Sequence, residues 1–87
     1  MTIQNLIWDE WNVEHIARHG VKPEEVEQVC RSNYFFTKGR QNTYRVIGQT
    51  QGGRYLTIIL APRGQGDFYP VTARDADNKE RRRFKKR

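Results

Sequence analysis

One cysteine, one methionine, two histidines and three prolines are spread over 87 residues, and each scarcity excludes something. With Cys30 alone there is no internal disulfide and no cysteine-built zinc site. Long apolar runs are missing too. The best, Leu56 to Ala61, is far short of the roughly eighteen residues a membrane span needs, and Met1 to Asn5 lacks the charged-then-apolar layout of a secretion signal. A cytoplasmic protein is therefore expected. The length leaves room for one compact core, so residues 1–87 are expected to form a single domain. What is present argues for a folded chain: 36% hydrophobic residues and ten aromatics against 30% charged. Neither an internal repeat nor a linker is visible.

Acidic residues are scarce after the first third. Residues 1–31 hold six acidic side chains against three basic ones; residues 32–74 hold six basic against Asp67 alone; and 79–87 hold seven basic against Glu80. Asp75 and Asp77 lie between, and the net charge is +6. An acidic start followed by a basic remainder suits a polyanionic partner, most simply nucleic acid. A merely solvated basic surface is the competing reading.

The hydrophobic period changes once. Asp9 ahead of Val13, Ile16 and Ala17 predicts a helix over about Glu10–His19, capped by the Asp9 carboxylate, with Trp8 stapled onto Val13 and Gly20 closing the end. Pro23 suits the first position of a second helix carrying Val26, Val29 and Cys30 on one side. Lys22, at its cap position, cannot accept a backbone hydrogen bond, so this start is the weaker. From Asn33 the period is two, over Tyr34–Thr37, Thr43–Thr50, Arg54–Ala61 and Asp67–Arg74, joined by short glycine-bearing turns that imply antiparallel hairpins. The third run is apolar on both faces and reads as central. Pro70 places the fourth at an edge or a bulge, and Ile3, Leu6 and Ile7 suggest a short leading strand. Asp77 and Glu80 make a capping box for a last helix, Asn78 to about Lys86, whose one large apolar residue, Phe84, predicts weak docking.

Ile7-Trp8-Asp9, His15, Arg18-His19-Gly20-Val21 and Pro23-Glu24-Glu25-Val26 resemble the amino-terminal half of the BrnT family of toxins. Gly52-Gly53-Arg54-Tyr55-Leu56, Val71-Thr72-Ala73-Arg74 and Glu80-Arg81-Arg82-Arg83-Phe84 resemble its second hairpin, closing strand and last helix, with departures at Lys22, Pro70 and Phe84. The resemblance implies an α+β, RelE-like fold: an antiparallel sheet packed against two amino-terminal helices, with a short basic carboxy-terminal helix. It implies the toxin of a type II toxin-antitoxin pair, a metal-independent endoribonuclease that cleaves RNA and inhibits translation. No cofactor is implied. The implied partners are RNA and a BrnA-like antitoxin, which alone contacts operator DNA.

Cleavage by an RNA 2′-hydroxyl needs proton transfer and cations around phosphorus. His19, at a helix end, is the better histidine, though it could simply bond the last-turn carbonyls; His15 is expected on the exposed face. The His15-x-x-x-His19 spacing could hold a metal, but no third ligand is evident and none is expected. Arg74, ending a strand, offers a guanidinium fork for phosphate, or else pairs with Asp75, Asp77 or Glu80. Arg45 and Lys38 join His19 and Arg74 as catalytic candidates, with Arg40 and Arg63 beside them on one concave face. Glu80 is explained more simply as a cap than as a base. Arg63, Arg81, Arg82, Arg83, Lys85 and Lys86, with Arg87, are candidates for phosphate contacts, against a solvated, disordered tail. Tyr34, Phe35, Phe36, Tyr44, Tyr55, Phe68 and Tyr69 could stack on bases, although most should fill the core. Two other readings stay open: a non-catalytic RNA- or antitoxin-binding domain of this fold, and a helix-turn-helix-like DNA-binding protein formed by the two short helices.

Overall fold

Asp9 starts the first helix as its side chain suggests: Oδ1 accepts the Asn12 N–H at 2.9 Å, and Asn12 Oδ1 returns the bond from the Asp9 N–H at 2.9 Å. In the computed structural model, which describes residues 1–87, the order is β1 (Asn5–Leu6), α1 (Glu10–Ala17), α2 (Pro23–Cys30), β2 (Tyr34–Lys38), β3 (Tyr44–Gln49), β4 (Tyr55–Gly64), β5 (Asp67–Asp75) and α3 (Asn78–Lys85). The first helix ends two residues earlier than its pattern predicts, and Gly20 takes the left-handed conformation at φ +69°. Its buried side is also different. Asn12 and Ile16 are fully buried while Val13 and Ala17 are exposed, because Asn12 satisfies the helix start and donates Nδ2 to the Ile7 carbonyl at 2.9 Å.

The five strands lie in the order β1-β5-β4-β3-β2, so β4 is central. The sheet is mixed rather than antiparallel throughout: β2 to β5 are antiparallel neighbours, but β1 runs parallel to β5, pairing Asn5 with Asp67 and Leu6 with Phe68. β1 reaches the sheet edge before α1 begins, so no hairpin fixes its direction. Pro70 falls beyond that short pairing, next to an irregularity of register at Leu60, where a missing N–H costs nothing.

Register assigns the two faces of the sheet. Phe36, Val46, Ile58 and Ala73 stand opposite one another on one face; Phe35, Ile47, Thr57 and Arg74 on the other. The first face takes α1 and α2, where Ile16, Val21, Val26 and Val29 meet Val46, Leu56, Ile58, Leu60 and Ala73 in one core. Each valine, leucine or isoleucine among them contributes about 1.5–3 kcal/mol on burial. Gly48 lets α2 approach: a Cβ there would lie 2.8 Å from Val29 Cγ1.

The second face takes α3, and the docking is firmer than one apolar anchor predicts. Phe84 is 7% exposed, with its ring 5.8 Å from that of Tyr55. The cations around it lie on aromatic rings, Arg81 4.5 Å over Tyr55, Arg83 4.9 Å over Phe35 and Arg87 3.7 Å over Phe84. Tertiary contact thus supplies what the helix's own composition lacks.

Replacing Gly48 by Ala is expected to cost about 1–3 kcal/mol through overpacking against Val29. In a double-mutant cycle read by urea denaturation, Val29→Ala should recover part of that loss, because the new methyl occupies the space it vacates.

Candidate nucleic-acid interface

The α3 face of the sheet is only partly covered, and the uncovered part is a groove of about 440 Å³. Its floor is Phe35 and Thr37 of β2 with Arg45 and Ile47 of β3; its wall is Asp77, Lys79, Glu80, Arg82, Arg83 and Lys86. The alternation of β2 and β3 brings these strand residues to one side, since Phe35 pairs with Ile47 and Thr37 with Arg45. None of the five cations Arg45, Lys79, Arg82, Arg83 and Lys86 takes part in an ion pair. Both acids are occupied: Asp77 Oδ1 accepts the Glu80 N–H at 2.8 Å, and Glu80 Oε1 accepts the Asp77 N–H at 2.9 Å. With five cations against two acids the groove presents a net positive field rich in donors, which suits a phosphodiester.

Arg74 borders this groove through Glu80. The two side chains form a fork, Nη1 to Oε1 and Nη2 to Oε2 at 2.9 Å each, while Nη1 also donates to the Asp75 carbonyl at 3.1 Å. The Arg74 Nε–H takes no protein partner, and the side chain is 44% exposed. Burial opposes ionisation of Glu80 most strongly, but the Arg74 guanidinium and the Asp77 N–H outweigh it and hold the carboxyl at about 2. The same pairing raises the Arg74 pKa further. Beneath them the Thr57 hydroxyl is buried beside the Glu80 carboxylate without reaching hydrogen-bond geometry to any partner.

The groove thus gathers Arg45, Arg82, Arg83 and Lys86, with Arg74 at its margin, and leaves other candidates elsewhere. His19 is exposed on α1's outer side, its ring edge-on to His15 at 5.9 Å, and His15 stacks on Trp11 at 4.8 Å. Lys38 lies 5.4 Å over Tyr44, on the opposite side of β2 from Thr37, and Arg40 sits in the turn that follows. Arg63 lies 5.0 Å over Tyr69 near the β4–β5 turn, and Arg81 and Lys85 both lie over the Tyr55 ring. No three His, Cys, Asp or Glu side chains come together as metal ligands. No helix is long and apolar enough to cross a membrane.

Phe35 was one of several aromatic candidates, but Lys79 and the floor residues Thr37 and Ile47 were not legible as a site; only strand pairing and the docking of α3 collect them. Arg54 was missed as well. Its guanidinium ties the turn after α1 to the far end of the sheet, donating to the Gly20 carbonyl at 2.8 Å, to Glu25 at 3.1 Å and to Asp75 at 2.7 Å. Two of the three acids of α2 are likewise engaged, Glu25 by Arg54 and Glu27 by Trp8 and Arg31, while Val26, Val29 and Cys30 are buried against the sheet. A helix packed in this way is no recognition helix, so the helix-turn-helix reading is set aside.

The same arrangement is found in a solved structure. The ribonuclease toxin BrnT of Brucella abortus, determined at 1.1 Å, superposes with a TM-score of 0.70 over 88% of this chain and 100% of that one. The chain has the BrnT fold. The two sequences are 22% identical. No family model matches the sequence, and no curated protein matches it. A five-stranded mixed sheet with three helices is therefore the fold that this chain shares with BrnT.

Because Glu80 titrates lower in the folded protein than in the unfolded chain, near 4.3, the stability it supplies is complete above that value. It is lost as pH falls towards about 2. Urea midpoints between pH 5 and 2 should fall less steeply for Glu80→Gln than for the parent chain, and Arg74→Met, which leaves a buried carboxylate unpaired, should cost about 1.5–3 kcal/mol at pH 7.

Proposed function

We propose that this chain is a ribonuclease toxin of the BrnT type, an endoribonuclease that cleaves RNA without a metal and inhibits translation, held in check by a BrnA-like antitoxin. The observation that carries the reading is the groove: five cations without ion-pair partners beside Arg74, on a fold shared with a ribonuclease toxin. In-line attack by a 2′-oxygen piles negative charge on phosphorus, and rigidly held guanidinium donors stabilise that charge. Arg45, whose backbone is fixed between neighbouring strands, and Arg83, laid on Phe35, supply donors from opposite sides of the groove. Arg74 offers its free Nε–H to the same phosphate, oriented by its fork to Glu80. Arg82 and Lys86 hold the flanking backbone, a contact that gives affinity without sequence choice.

The groove itself contains no histidine, which separates two versions of the chemistry. With Arg45 and Arg74 as the centre, Arg45→Ala should slow cleavage of a defined RNA in EDTA by about a hundred- to thousand-fold, while His19→Gln stays within a few-fold of the parent. A large loss on His19→Gln with a flattened pH profile between about 5 and 8 would move the reaction to the end of α1. Activity abolished by EDTA would overturn the metal-free reading, and a chain that binds RNA but never cleaves it would be a non-catalytic binding domain.

The antitoxin is expected to cover the same groove, since its acidic groups must compete with RNA for the same cations. The purified complex should therefore bind single-stranded RNA at moderate salt far more weakly than the free chain. Undiminished binding by the complex would place the antitoxin on another face, such as the exposed Trp11 and His15 side of α1.

A further inference from the structure

Beyond the carboxyl end of α3 lies a hollow that the proposed reaction does not use. It is bounded by the end of α2 on one side and the β3–β4 turn on the other, has a volume of about 320 Å³, and is lined only by polar and charged side chains. That volume is at the lower end of the range for small-ligand sites, about 300–1,000 Å³. An adjoining hollow of about 220 Å³ shares Ser32, Gln49 and Thr50 with it and reaches Phe84 and Arg87. Lys86, which caps α3 next to Arg87, lines the basic groove. A path therefore runs from groove to cleft over the end of α3.

The amides of this cleft have their orientation fixed. Gln28 Oε1 accepts the Gln51 N–H at 3.1 Å, and Gln49 Nε2 donates to the Gly53 carbonyl at 3.0 Å. A backbone N–H only donates and a carbonyl only accepts, so neither amide can turn end for end without losing its bond. The free ends are then set: an NH2 from Gln28 and a carbonyl oxygen from Gln49. The neighbouring hydroxyl and the nearby cation are placed as well. Thr50 Oγ1 accepts the Arg54 N–H at 3.1 Å, and the Arg87 guanidinium lies over the Phe84 ring, 3.7 Å from its centre. A donor and an acceptor held in one polar cleft complement the edge of a nucleobase, which carries acceptor beside donor, and single-stranded RNA is recognised through such edges and through stacking.

We propose that this cleft is a base-reading subsite, in which one base flanking the scissile phosphate is held by Gln28 Nε2 and Gln49 Oε1 while Arg87 carries the strand over the end of α3. The proposal rests on the reading of the groove as an RNA site, but it is tested without cleavage. Fluorescently labelled homopolymers of about eight nucleotides, rA, rC and rU, are titrated against the full chain by anisotropy. The parent chain should prefer one of them by about tenfold. Gln28→Glu keeps an oxygen for the Gln51 N–H yet turns the free donor into an acceptor, so it should abolish or reorder the preference. The added negative charge by itself lowers all three affinities together, so a change in their ratio reports the lost donor. Gln49→Ala should reduce the ratio as well, with thermal denaturation confirming that both variants fold. An unchanged ratio in folded variants overturns the subsite, and so does a parent chain that binds all three alike. A chain that binds no RNA overturns both the subsite and the ribonuclease reading, whereas selective binding without cleavage leaves the subsite standing and removes only the ribonuclease.

Discussion

The fork between Arg74 and Glu80 holds the groove side of this protein together. The last helix carries five of the chain's cations and one large apolar residue, so its own residues repel one another and have little to bury. Glu80 answers both problems at once. It caps the helix start with Asp77, brings a negative charge to the sheet, and takes both Nη groups of an arginine fixed on β5. Aromatic rings do the rest, since Tyr55, Phe35 and Phe84 each carry a guanidinium on one face. Without that anchor the helix has no reason to lie where it does, and the groove has no wall.

A second consequence concerns how charge is divided. Most acidic side chains are consumed by structure: Asp9 and Asp77 at helix starts, Glu25 and Asp75 on Arg54, Glu27 on Trp8 and Arg31, Glu80 on Arg74. The cations of the groove have no such partners. Folding thus gathers five cations without ion-pair partners around one groove, an arrangement that suits a polyanion.

Much of the architecture was legible because the signals were local. Asp9, Gly20, Asp77 and Glu80 act within one turn of chain, and they behave as their types predict. The four later strands and the central place of β4 follow from the period-two runs and their short turns. The direction of β1 did not follow, since two residues carry no register and a strand joined through helices can pair either way. Nor did the burial of Asn12 in place of Val13, which was decided by a capping bond and a long-range carbonyl.

The candidate site divides along the same line. Composition and charge order by themselves determined that a basic half would exist, that Arg45, Arg74 and the last helix would belong to it, and that cysteine chemistry would not. Only the tertiary structure decided which cations share a groove. Lys38 and Arg45 both lie in the β2–β3 hairpin, yet the pleat sends them to opposite faces; Lys79 and Phe35 are far apart in sequence, yet α3 docking makes them neighbours. His19 ended outside the groove for the same reason, because α1 packs on the face opposite α3. Alternation along a strand is written in the sequence, but the side on which each helix lands is fixed by where apolar surface remains to be buried, and that is a property of the whole fold.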